Sequence, residues 1–158
     1  MKFQFNKTAL IIGLLLSVSS TTFAADVMLG TGGYLRQLQK MEMMKMLDAD
    51  GNHMVTMAEA ESYYNSVFDA LDKNHDDSLS ENEWAAPSGK TKIDLATGGY
   101  SRELRSMKMM KTMDNDGDHK VTRDEFLNFH RAVFAKLDTS SDQQLTAGEW
   151  AAKLLAGH

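Results

Sequence analysis

Apolar residues recur along the chain at helical spacing, in blocks separated by short polar stretches. Tyr63, Val67, Phe68 and Leu71 share one face, as do Phe126, Phe129, Val133, Phe134 and Leu137. They predict core-facing helices over 58–71 and 124–137. Tyr34, Leu38, Met41 and Met44 lie on one arc, as do Tyr100, Leu104, Met107 and Met110. They predict helices over 33–47 and 99–113, with these residues facing inward. In that frame Met43 and Met109 fall about 160° from Met41 and Met107, on the far side. Two short helices complete the set, one over 82–86 that Pro87 ends and one over 148–156. A single Pro in 158 residues agrees with an all-α fold.

The pattern is duplicated. Leu29–Ala86 aligns with Leu95–Ala152 without gaps, with 28 identities in 58 pairs. Residues 25–86 and 98–158 are therefore two copies of one unit. Residues 87–97, which begin Pro-Ser-Gly-Lys-Thr-Lys, read as a polar linker between them.

Residues 1–24 read as a secretory signal. Lys2 and Lys7 give a positive start, and Ala9–Val18 is a ten-residue apolar run, too short to span a bilayer as a helix. Ser19–Ala24 is small and polar and offers a cut before Ala25. The expected location is exported, to a periplasm first and the extracellular space second. No second apolar run reaches membrane length, so no membrane association is expected after cleavage. The cut leaves 15 basic against 22 acidic residues, a net charge of −7. That balance argues against nucleic acid as a partner. With no Cys there is no disulfide framework, thiolate metal site or Cys nucleophile.

The polar stretches carry the chemistry. Four twelve-residue segments (48–59, 72–83, 114–125 and 138–149) place oxygen side chains at positions 1, 3, 5 and 12. These are Asp48, Asp50, Asn52 and Glu59; Asp72, Asn74, Asp76 and Glu83; Asp114, Asp116, Asp118 and Glu125; Asp138, Ser140, Asp142 and Glu149. Position 8 is apolar each time: Val55, Leu79, Val121 and Leu145. Acids of a solvated face or of helix caps would not keep Glu at one position in four loops. The four segments resemble the loops of the EF-hand superfamily, the calmodulin-like calcium-binding proteins.

The resemblance implies an EF-hand-like helix–loop–helix array with Ca²⁺ as its ion. A hard cation of this kind takes six to eight oxygens, and the position-12 Glu supplies two of them. Position 7 would add its backbone carbonyl: Met54, Ser78, Lys120 and Gln144. Two departures stand out. The family's position-6 Gly is replaced by His53, Asp77, His119 and Gln143, which must bear a positive φ at some strain. Neighbouring loops are also only 24 residues apart, so one helix of roughly 18 Å leaves one loop and enters the next. Loops within a unit then cannot pair through position 8. Pairing must run between the units, as 1 with 3 and 2 with 4, or 1 with 4 and 2 with 3. By its four carboxylates loop 3 ranks strongest, and loop 4, with Ser140, weakest.

The Met clusters (Met41, Met43, Met44, Met46; Met107, Met109, Met110, Met113) read first as core filling. A two-sided Met helix would otherwise present a Met-rich face to a protein partner. A second alternative is a soft metal, Cu(I) or Ag(I), held by pairs such as Met41/Met44 or Met109/Met113 beside calcium. His53 and His119 read as turn residues, and Trp84 and Trp150 as core anchors. No nucleophile signature, phosphate loop or zinc spacing is present, so an enzyme is not expected. The expected function is calcium binding by an exported, methionine-rich repeat protein, with a sensor-like or buffering role.

Overall fold

The computed structural model describes residues 32–86 and 98–152. The expected signal segment and linker lie outside the described residues. The first unit runs α1 (Gly32–Leu38), α2 (Met41–Leu47), β1 (Met54–Thr56), α3 (Met57–Leu71), β2 (Ser78–Ser80) and α4 (Glu81–Trp84). The second repeats it as α5 (Gly98–Leu104), α6 (Met107–Met113), β3 (Lys120–Thr122), α7 (Arg123–Leu137), β4 (Gln144–Thr146) and α8 (Ala147–Ala151). The molecule is mostly helical, with two small sheets beside the helices.

The sheets decide the loop pairing. β1 pairs antiparallel with β4, setting Val55 opposite Leu145. β2 pairs antiparallel with β3, setting Leu79 opposite Val121. Loop 1 therefore joins loop 4, and loop 2 joins loop 3. All four position-8 side chains are fully buried. α3 packs along α7. Because the end of α3 and the start of α7 meet at one sheet, the two run antiparallel. Each is shared by both pairs. α2 packs on α8, α4 on α6, and α1 on α5. One hydrophobic cluster draws on both units, with Phe68, Phe126, Trp84 and Trp150 among its largest members.

The expected unbroken helices over 33–47 and 99–113 do not form. Each breaks into two, at Lys40 and at Ser106. Both residues are extended N-caps (φ −66°, ψ 143°; φ −67°, ψ 141°). The Ser106 hydroxyl accepts from the Met109 amide, a capping signal present in the sequence. The break resets the helical phase, which reverses the expected Met orientation. Met43 and Met109 are buried (0% and 2% exposed), while Met41 and Met107 are exposed at 41% and 38%. Leu38, Leu104, Met44 and Met110 face the core as expected; the side chain of Tyr100 lies outside the described residues. Core filling is thus the main role of the Met clusters. Among the described residues no helix is long and apolar enough to cross a membrane.

Candidate metal centre

Each loop begins with an Asp at the C-cap of the incoming helix and ends with a Glu in the first turn of the outgoing one. The position-1 carboxylate gathers the turn. Asp48 accepts from the amides of Asn52 (3.0 Å) and His53 (2.9 Å). Asp72 accepts from His75 (2.8 Å) and Asp77 (3.0 Å), Asp114 from Gly117 (2.8 Å) and His119 (3.1 Å), and Asp138 from Gln143 (2.9 Å).

The position-6 residues take the expected left-handed conformation, with φ of 67° at His53, 59° at Asp77, 66° at His119 and 63° at Gln143. Position 4 does the same at Gly51, His75, Gly117 and Ser141. The Asp77 side chain is held across the pair by Arg123, 2.7 Å away. The two imidazoles at position 6 thus belong to turn residues, in line with their expected role.

Positions 3 and 5 brace the backbone two residues on. Asp50 accepts from Asn52 N at 3.0 Å, Asn74 from Asp76 N at 3.1 Å and Asp116 from Asp118 N at 3.1 Å. Asn52, Asp76, Asp118 and Asp142 accept from the position-7 amides of Met54, Ser78, Lys120 and Gln144 at 2.8–3.0 Å. The Ser140 hydroxyl instead donates to Asp138 at 3.2 Å. Position 7 opens each strand, and that fixes its carbonyl.

Position 12 is doubly used. One Glu59 oxygen accepts from the amides of Ala49 (2.9 Å) and Asp50 (3.3 Å), and the other from the Thr56 amide (2.8 Å) and hydroxyl (2.7 Å). Thr56, Ser80, Thr122 and Thr146, all at position 9, form a capping box with the Glu three residues on. These position-9 residues lie outside the expected ligand set, although the Ser/Thr-x-x-Glu spacing announces them in the sequence.

The hydrogen bonds hold the acids in their charged form. The Thr146 amide, then its hydroxyl, bring the Glu149 pKa down to about 2. The Thr56 amide lowers Glu59 against the opposing effect of burial. Burial also works against Glu83, but the Ser80 hydroxyl and amide outweigh it. The Ser78 hydroxyl and amide lower Asp76.

Convergence differs among the loops. Ligand oxygens of Asp48, Asp50 and Glu59 lie within 4.8 Å of one another, as do those of Asp114, Asp116 and Asp118. No such trio of carboxylates converges in loops 2 and 4, whose third positions are the uncharged Asn74 and Ser140. Each paired set therefore holds one loop with a convergent carboxylate trio and one without. The donor set is hard oxygen throughout, which suits Ca²⁺. The soft-metal alternative finds little support. Met44, Met109 and Met113 are 2–3% exposed, so Met41 alone of the two expected chelating pairs lies at the surface.

Two helix–loop–helix hands joined through a short antiparallel sheet define a class of ion-binding module, the EF-hand pair. A family model described as an EF-hand domain pair matches residues 61–131, from within α3 through loops 2 and 3 into α7. Residues 61–131 thus carry an EF-hand pair of the superfamily whose pairs bind calcium. No curated protein gives a significant match to the chain.

Proposed function

We propose that this is an exported calcium-binding protein with four EF-hand sites, in which loops 1 and 3 bind first. The observation that supports it best is the convergence of Asp48, Asp50 and Glu59, and of Asp114, Asp116 and Asp118, in loops whose backbones are already braced. At each loop the ion would be held by side chains 1, 3, 5 and 12 and by the position-7 carbonyl. Bound Ca²⁺ supplies positive charge where three or four oxygen groups repel or crowd one another. Four ions would take the mature chain from −7 to +1.

The buried Met sulfurs fill the core; a calcium-stabilised or buffering protein is the first reading, and calcium-driven opening of a Met-rich face to a partner is the alternative. The test is isothermal titration of the mature, chelator-stripped chain with Ca²⁺, with Mg²⁺ as control. Two tighter and two weaker sites are expected, with affinities near 10⁻⁴–10⁻³ M as in other extracellular modules. Glu59→Gln and Glu125→Gln should each remove one tight site. Absence of saturable Ca²⁺ heat, or equal response to both ions, sinks the reading. Calcium-dependent binding of a hydrophobic dye would restore the sensor role.

A further inference from the structure

Calcium binding by itself does not account for the shared placement of the two tryptophans. Trp84 and Trp150 each follow a position-12 glutamate directly, on helices of 4 and 5 residues. Both are buried (0% and 2% exposed). Each indole N–H reaches into the opposite unit. Trp84 Nε1 donates to the Ser106 carbonyl at 3.1 Å, and Trp150 Nε1 to the Lys40 carbonyl at 3.1 Å. Those carbonyls sit at the two helix breaks, where they also accept the first-turn amides of Met109 and Met43 at 2.9 Å.

A second grip flanks each one. Gln39 Nε2 donates to the carbonyls of Trp150 (3.2 Å) and Ala152 (2.6 Å), and Arg105 Nη1 to that of Ala86 (3.0 Å). The chain just after loop 4 therefore fixes the break before α2, which leads into loop 1. The chain just after loop 2 fixes the break before α6, which leads into loop 3.

We propose that Trp84 and Trp150 are positioning residues for the loop across the pair: Trp84 sets loop 3, and Trp150 sets loop 1. The lever is short and stiff. Asp48 and Asp114 cap the far ends of α2 and α6, seven-residue helices about 10 Å long. A tilt of about 10° at the break would carry the first carboxylate by about 2 Å, where metal–ligand distances hold to about 0.2 Å. The weaker loops thus carry, one residue past their closing glutamate, the clamp that aligns their stronger partners. The inference rests on the calcium reading above.

The experiment follows the amide signals of Gly51 and Gly117, one in each convergent loop, during Ca²⁺ titration of the ¹⁵N-labelled mature chain. Trp84→Phe should raise the midpoint at Gly117 by about three- to tenfold, the range one hydrogen bond supplies, and leave Gly51 unchanged. Trp150→Phe should do the reverse. Arg105→Gln and Gln39→Ala leave the core intact and should reproduce the crossed pattern at smaller amplitude. If a tryptophan variant does not fold, this second pair decides alone. Equal shifts at both amides, as general destabilisation would give, or no shift at either, overturn the inference. If neither amide of the unmutated chain responds to Ca²⁺, the calcium reading fails and the inference falls with it.

Discussion

Glu149 is only partly buried, yet four donors hold it: the amide and hydroxyl of Thr146, the Ser140 amide and the Thr139 hydroxyl, at 2.9–3.2 Å. Its folded pKa of about 2 lies below the ordinary 4.5. The carboxylate therefore contributes stability in full above about pH 4.5, and loses it as pH falls towards 2. Glu149→Gln should lower the urea midpoint of the calcium-free chain at pH 7 and flatten its acid dependence over that window. Unchanged acid dependence would mean that these bonds do not form in solution.

His130 gives a second titration, of the opposite charge type. Its Nδ1 lies 2.7 Å from the Phe126 carbonyl, which can only accept, so Nδ1 carries the proton and Nε2 accepts from the Tyr34 hydroxyl at 2.6 Å. Burial pushes its pKa down from 6.5 to about 3. The unfolded chain takes up a proton below pH 6.5 and the folded chain does not, so stability falls with pH from there. Between pH 6.5 and 5 the loss should be about 1.5 kcal/mol, above the range where carboxylates titrate. In His130→Phe the urea midpoint should be flat across that interval, and an unchanged slope would refute the assignment. The position-12 glutamates and strained position-6 residues were legible in the sequence because both follow from local spacing. The state of His130 was not, since Tyr34 and Tyr64 of the other unit meet it only through packing between helices.

At the scale of elements, the helix breaks separate what periodicity can show from what it cannot. Existence and type of α3 and α7 followed from their apolar faces, to within a residue at the start of each. The break at Lys40 did not, because Lys is no capping residue and Met41 continues a plausible arc. Its support comes from the other unit, where Trp150 donates to the Lys40 carbonyl and the carbonyls of Trp150 and Ala152 hold Gln39, fixing a turn that the local sequence leaves weak. Ser106, at the equivalent place in the second unit, caps α6 through its hydroxyl, while the Lys40 side chain makes no such bond. Lys40→Ser should therefore stabilise the protein by about 0.5–1 kcal/mol, and Ser106→Ala should destabilise it by a similar amount. Thermal melts at fixed Ca²⁺ check both. A neutral or destabilising Lys40→Ser would show that the exposed lysine stem supports the break in another way.

For the whole molecule, the shared helices matter more than the number of loops. The duplication suggested two units in series, and the sequence left the loop pairing open between two schemes. The structure joins the units crosswise, with loops 1 and 4 at one end, loops 2 and 3 at the other, and α3 and α7 running the full length between them. Neither end owns a core, so neither should melt alone. Without metal, 13 of the 22 acids occupy loop positions 1, 3, 5 and 12 and oppose compaction. An ion that binds only the folded form stabilises it by about 2.7 kcal/mol per site at one hundred times Kd. Calcium should therefore raise helicity and melting temperature together. The sharper expectation concerns one-sided loading. With Glu59→Gln and Glu149→Gln disabling loops 1 and 4, calcium at loops 2 and 3 should still protect the far end. Trp150, beside loop 4, reports that end once Trp84→Phe removes the other indole; Trp84 reports its own end in a Trp150→Phe chain. Fluorescence melts of the two chains, each carrying the disabled loops, should each show a single transition that millimolar Ca²⁺ shifts upward, by less in the Trp84→Phe chain because its loop 3 binds the ion more weakly. A shift at Trp84 with none at Trp150 would mean that the ends fold as separate modules and that α3 and α7 pass no stability between them.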